Sequence, residues 1–160
     1  MILGILSDSH GHVAPVRRAV ALFDRWGVEA IVHCGDVGEE DVFSEFTGRR
    51  FWFVWGNTDL PTSSLLAYLS ATGLDTPDNP PVHLTIDGKQ FAVFHGHEPG
   101  FHQAHEQLNV DYILHGHTHV PRDETLHGRR IINPGALHRA REKTVATLDV
   151  AKNLLQFHVL

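Results

Sequence analysis

The sequence predicts an α/β protein in which two mixed β-sheets pack together beneath outer helices, and three observations carry that reading. In the first half, short apolar runs alternate with amphipathic stretches at helical spacing, the pattern of β-α-β units whose strands end in functional loops. In the second half this gives way to apolar runs around Asp87-Gly88 and His127-Gly128, dipeptides that turn antiparallel strands tightly. With 160 residues the chain is long enough to bury a core without covalent staples, so residues 1–160 are read as a single domain.

Residues 1–7 open the chain as a strand. Over 13–26, Val16, Ala19, Val20 and Phe23 fall on one helical face, Pro15 suits the first turn and Gly27 the C-terminal cap. Residues 30–33 form a second strand, 41–47 a short helix, 50–54 a third strand and 64–71 another helix. Three prolines within 75–81 break regular structure and close the first half. Strands over 82–86 and 89–94 flank Asp87-Gly88, where both residues tolerate positive φ. A helix over 103–109, a strand over 112–115 and a hairpin over 126–132 follow, and strands 144–150 and 154–159 finish the chain as an antiparallel pair.

Charge and composition remove several functions. Thirteen basic against nineteen acidic side chains leave a formal charge of -6, the wrong sign for a chain that wraps a phosphate backbone, so no long nucleic acid is expected as a partner. A single cysteine excludes an internal disulfide framework, and Met1 leads into Ile2-Leu3-Gly4-Ile5-Leu6 without a basic n-region, which points to the cytoplasm. No apolar run nears the roughly 20 residues that span a bilayer, so no membrane partner is expected. Association into a homo-oligomer is left open.

The loops after the strands carry the chemistry. Asp8-Ser9-His10 sets a carboxylate and an imidazole two residues apart, able to grip one ion, although an aspartate capping the next helix explains it as well. Gly35-Asp36 offers two carboxylate oxygens beside a glycine, or simply a turn. Gly56-Asn57-Thr58-Asp59 offers a neutral amide oxygen, Phe94-His95-Gly96-His97 adds imidazoles, and His115-Gly116-His117-Thr118-His119 places two more just past a buried strand. Each is weak alone; donor sets recurring at successive strand ends exceed what turn chemistry supplies.

Asp-x-His, Gly-Asp, Gly-Asn-x-Asp, His-Gly-His and Gly-His-Thr-His, in this order, resemble the calcineurin-like metallophosphoesterase superfamily, and Asn133-Pro134-Gly135 is similar to its small bacterial and archaeal phosphodiesterase branch. The resemblance runs from Asp8 to about Gly135 and implies a four-layer αββα sandwich. It also implies a binuclear metal-dependent phosphodiesterase acting on a small phosphodiester or other phosphate ester. Asp8, His10 and His119 would hold one ion, Asn57, His95 and His117 the other, and Asp36 would bridge them. A bridging hydroxide would attack phosphorus in line, and the centre would keep about one net positive charge to meet a diester monoanion. Imidazole, carboxylate and amide donors without thiolate favour two divalent transition ions, manganese first, with iron, zinc, nickel or cobalt also suited.

Asp36, Asn57 and His97 are the candidate catalytic residues, with His97 facing substrate or supporting His95. His12 is expected at the mouth of the site, His33 and His115 buried with their hydrogen bonds satisfied, and Cys34 in packing. Two positions depart from the family pattern. Thr58 stands where many larger relatives have a histidine that can protonate the leaving oxygen, which leaves the general acid unassigned. Ala136 stands where a serine often follows Asn-Pro-Gly, with Arg139 or Arg141 available to clasp phosphate. Two alternatives share the fold: a phosphomonoesterase or nucleotidase with the same centre, and a catalytically weak interaction scaffold. Such scaffolds lose ligands, whereas this chain retains all of them.

Overall fold

The computed structural model describes residues 1–160. Its elements in chain order are β1 (Ile2–Leu6), α1 (Val13–Trp26), β2 (Ala30–His33), α2 (Glu40–Ser44), β3 (Phe51–Phe53) and α3 (Ser63–Thr72). There follow β4 (Val82–Ile86), β5 (Lys89–Val93), α4 (Phe101–Gln107), β6 (Tyr112–Leu114), β7 (Arg122–Leu126), β8 (Arg129–Asn133), β9 (Thr144–Asp149) and β10 (Leu154–Val159). The strands form two mixed five-stranded sheets, β10-β9-β1-β2-β3 and β4-β5-β6-β8-β7.

Strand alternation builds the layers, because successive side chains point to opposite faces. Leu3 and Ile5 of β1, Val32 of β2, Phe91 and Val93 of β5, and Leu114 of β6 meet in the apolar seam between the sheets. On the outer face of the first sheet, Leu6, Ile31, Phe51 and Phe53 pack against Val16, Ala19 and Phe23 of α1 and Phe43 of α2. On the outer face of the second, Ala92 and Ile113 pack against Phe101 and Ala104 of α4. These three apolar interfaces make the αββα order that the sequence implied.

Three elements differ from expectation, and the first is α2, which starts at Glu40 and ends at Ser44 rather than running over 41–47. β7 was not anticipated as a full strand: Arg122-Asp123-Glu124-Thr125-Leu126 has no apolar alternation, because this outermost strand is held by its backbone register with β8 and not by burial. α4 starts at Phe101 rather than 103 and ends at Gln107, since Phe101 is anchored edge-on against Phe94 at 5.4 Å.

Register then gathers the loops. β1, β2 and β3 run parallel with Leu6 beside His33 and His33 beside Phe53, and β5 and β6 run parallel with Val93 beside Leu114. Their carboxyl ends lie together, and backbone bonds tie the loops that follow: Asp8 N–H to Gly35 O at 3.0 Å, His10 N–H to Asp36 O at 2.9 Å, and Gly116 N–H to His95 O at 2.8 Å.

Candidate metal centre

The loop backbones are bent into a conformation most residues avoid. Asp8, His10, Asp36, His117 and His119 have φ of 55°, 46°, 52°, 68° and 59°. Aspartate and histidine enter this left-handed region more readily than most side chains, yet each such residue still carries strain of about 1 kcal/mol or more. Two glycines admit the close approach. A Cβ on Gly56 would lie 2.0 Å from Asp36 Oδ1, and one on Gly116 would lie 1.9 Å from Ser7 Oγ and 2.7 Å from Asp8 Oδ2.

Each carboxylate has one oxygen tied down and one turned inward. Asp8 Oδ2 accepts from Ser7 Oγ at 2.6 Å and from the His117 amide at 3.1 Å, and Asp36 Oδ1 accepts from the Thr58 amide at 2.9 Å. Asp8 Oδ1 is buried without a hydrogen-bond partner, 3.1 Å from His119 Nε2, 3.9 Å from His10 Nε2 and 4.0 Å from His95 Nε2. Asp36 Oδ2 lies between two rings, 3.6 Å from His10 Nε2 and 3.4 Å from His95 Nε2. Burial works against the charge of Asp36, but its bonds with His95 and from the Thr58 amide outweigh this and hold the carboxyl well below the usual range.

The rings are aimed by their other nitrogens. His95 Nδ1 lies 2.7 Å from Cys34 O; a carbonyl only accepts, so Nδ1 carries the hydrogen and Nε2 of the neutral ring presents a lone pair. In the neutral ring that lone pair would face Asn57 Oδ1 at 3.1 Å and Asp36 Oδ2 at 3.4 Å, an arrangement of acceptors that a proton on Nε2 or an ion among them relieves. For the metal-free ring, burial opposes a proton, but Asp36 and the Cys34 carbonyl outweigh it and raise the pKa above the ordinary value. His119 Nδ1 lies 3.4 Å from Arg139 O and His10 Nδ1 lies 3.3 Å from Thr58 Oγ1.

Two groups of donor atoms are close enough to share an ion: Asp8, His10 and His119, and Asp8, Asp36 and His95. The partnerless buried atoms Asp8 Oδ1 and His10 Nε2 belong to the first group, and a nitrogen-and-oxygen donor set of this kind fits divalent transition ions. Asn57 and His117 stand at the exposed edge, with the His117 ring edge-on to His95 at 5.0 Å. His97 is farther out, its ring 5.3 Å from His95 and 6.2 Å from His117. Beside His10 and Thr58 an open groove of about 690 Å³ runs toward α2 and α3, lined by Glu39, Glu40, Asp41 and Thr62.

Supporting residues had no role assigned from the sequence. Buried Asp59 accepts from the amides of Gly56 at 2.8 Å, Gly38 at 2.9 Å and Val37 at 3.1 Å, fastening the Asp36 loop to the Asn57 loop. Glu98 accepts from the His95 and Gly96 amides at 2.8 and 2.7 Å. Asn133 donates to Gly116 O at 2.9 Å and Thr118 Oγ1 at 3.0 Å, so Asn-Pro-Gly clamps the loop that bears His117 and His119. The signal for Asp59 and Asn133 was their place in short glycine-containing motifs; Glu98 gave none. His138 was also missed: its ring stacks on His12 at 3.8 Å and lies 5.6 Å from His10, which puts His12 at the mouth as expected.

The expectation of satisfied buried histidines needs correction. Ser9 Oγ donates to Val37 O at 2.8 Å, so it accepts from His33 Nε2 and leaves His33 Nδ1 without a partner, and burial drives the His33 pKa to about 3. His115 donates Nδ1–H to Gly116 O at 3.0 Å and leaves Nε2 bare, with burial lowering its pKa to about 4. Cys34 packs in the seam between the sheets, and burial raises its thiol pKa far above the range of a nucleophile.

The calcineurin-like phosphoesterase superfamily domain model matches residues 1–153. The chain belongs to that superfamily. Among its relatives in this family, phosphodiesterase MJ0936 of Methanocaldococcus jannaschii is 30% identical over 161 residues, covering 95% of each chain. Probable metallophosphoesterase YsnB of Bacillus subtilis is 30% identical over 149 residues, covering 86% of this chain and 75% of that one. A structure described as a novel archaeal phosphodiesterase superposes over the whole of both chains with a TM-score of 0.89 at 28% identity. Vps29 of Entamoeba histolytica complexed with zinc, at 15% identity and a TM-score of 0.70 over 100% of this chain and 98% of its own, shares the phosphoesterase fold. As a calcineurin-like phosphoesterase the chain is a metal-dependent phosphoester hydrolase.

Proposed function

We propose that this hydrolase is a phosphodiesterase with a binuclear centre: Asp8, His10 and His119 hold one ion, Asn57, His95 and His117 the other, and Asp36 lies between them. The observation that carries the reading is the inward turn of Asp8 Oδ1 and Asp36 Oδ2 among three imidazole Nε2 atoms, with every opposite oxygen already bonded. Two divalent ions held there, manganese first, would supply positive charge against the phosphoryl oxygens and make a water more acidic. The chain's part is to aim and orient. Cys34 O and Thr58 fix the rings and Asp36, the Asn57 amide closes the open side, and His97 at the rim faces the ester oxygens.

The groove beside His10 and Thr58 supports a diester over a monoester, because it accommodates a second ester arm that a monoester lacks. Its carboxylates repel additional phosphates, which favours a small substrate with a single phosphoryl group and a neutral or cationic arm. We further propose that residues 1–160 act as one domain.

Purified protein supplied with manganese is expected to hydrolyse bis-nitrophenyl phosphate faster than nitrophenyl phosphate, with chelator suppressing both. Asp36→Asn, which removes a shared charge, should weaken binding of both ions and lower turnover by a hundredfold or more, on the order of several kcal/mol of charge stabilisation. Near-normal turnover of that variant with two ions bound would overturn the bridging role, and a preference for the monoester would overturn the diester assignment.

A further inference from the structure

Each sheet has two edges, and three of the four carry features that oppose pairing with another strand. β3 is only three residues long and follows Arg49 and Arg50. β4 follows Pro80 and Pro81. β7 carries Arg122, Asp123 and Glu124. β10 has none of these: Leu154-Leu155-Gln156-Phe157-His158-Val159 is six residues long, with no proline and no aspartate, glutamate, lysine or arginine.

The register of β10 on β9 shows which backbone groups remain free. Leu160 donates its N–H to Lys143 O at 2.9 Å, and the pairing runs on through His158 with Val145, Gln156 with Thr147 and Leu154 with Asp149. In an antiparallel ladder hydrogen-bonded residues alternate, so the even-numbered residues turn their backbone toward β9. Leu155, Phe157 and Val159 therefore present N–H and C=O outward. Their side chains share one face, which at Leu155 joins the seam between the sheets and at Phe157 and Val159 is 40% and 64% exposed. The opposite face adds Leu154 at 53% and Trp26, packed on His158 at 4.8 Å, at 46% exposed.

We infer that β10 is the interface with a second copy of this chain, paired antiparallel about a two-fold axis at Phe157, so that the two first sheets form one continuous ten-stranded sheet. The occupant follows from self-complementarity. With the axis at Phe157, Phe157 faces the partner's Phe157 and Leu155 faces the partner's Val159, so all three outward backbone positions meet outward positions and every apolar side chain of that face meets an apolar one. Each facing pair exchanges two backbone hydrogen bonds. The formal -6 on each copy opposes association in general, and this strand limits that repulsion locally because none of its side chains is a carboxylate.

Sedimentation equilibrium of the full chain is expected to give twice 17.9 kDa. Phe157→Lys, which sets two ammonium groups face to face across the axis, should reduce the mass to the monomer while circular dichroism and diester turnover per chain stay unchanged. Val159→Lys, at a more exposed position, should do the same and decides the matter if Phe157→Lys does not fold. Phe157→Cys should form an intermolecular disulfide with oxidised glutathione as electron acceptor, since facing residues of a hydrogen-bonded pair lie about 5.5 Å apart. A monomeric wild type, including one that instead takes up another protein's strand, overturns the inference. A dimer that survives both lysine substitutions overturns it as well, and a dimer that Phe157→Cys fails to cross-link excludes the axis at Phe157.

Discussion

Thr58 holds its neighbours through two contacts at once. Its amide donates to Asp36 Oδ1 at 2.9 Å and its hydroxyl lies 3.3 Å from His10 Nδ1, so this position orients two candidate ligands, but an alcohol is too weak an acid to protonate a departing oxygen. Turnover is therefore expected to fall steeply from a nitrophenyl diester to one with an alkyl leaving group, and Thr58→His to lessen the fall. A positioned acid contributes about 10²- to 10⁴-fold, which a leaving-group series at saturating substrate resolves. A flat series with chemistry rate-limiting counts against this account, and if His97→Ala then made that series steep, the acid would be His97. The candidate ligands could be picked out in the sequence because each stands in a short polar motif just past a strand. Glu98 was not legible, because its contact with the His95 and Gly96 amides is set by the fold of the loop and leaves no mark in residue spacing.

At the scale of elements, strands with apolar alternation were read to within a residue or two, whereas β7 escaped because backbone pairing with β8 needs no apolar face. The ends of strands hold a further consequence. β2 ends in His33, buried between Ser9 and Phe46, with its pKa lowered from 6.5 to about 3 by burial. Because the folded value lies below the unfolded one, the unfolded chain takes up a proton that the folded chain refuses. Stability from this group is complete above pH 6.5 and is lost as the pH falls from there toward about 3, by about 1.4 kcal/mol per pH unit. Urea melts of metal-free protein between about pH 7 and 5 should show a slope to which this proton adds its share, and His33→Gln, which keeps a donor to Ser9, should reduce that slope by about one proton. Equal slopes for the two proteins would mean that His33 titrates normally.

Over the whole molecule, the candidate ligands divide between the sheets. Asp8, His10, Asp36 and Asn57 follow strands of the first, and His95, His117 and His119 follow strands of the second. The apolar seam beneath them is non-directional, as apolar contact always is, and resists separation of the sheets more than sliding of one across the other. Ions held by donors from both sides would act as a clasp on two leaves of a book, fixing their relative setting to the short tolerance of coordination bonds. Loading manganese should then slow amide exchange in the last residues of β1 and β6 together, and chelation should release both; if only one sheet responded, the ions would belong to that sheet alone. Affinity for metal and rigidity of the sandwich would then be one property, so a substitution deep in the seam that loosens the leaves would weaken the hold on the ions without touching a ligand.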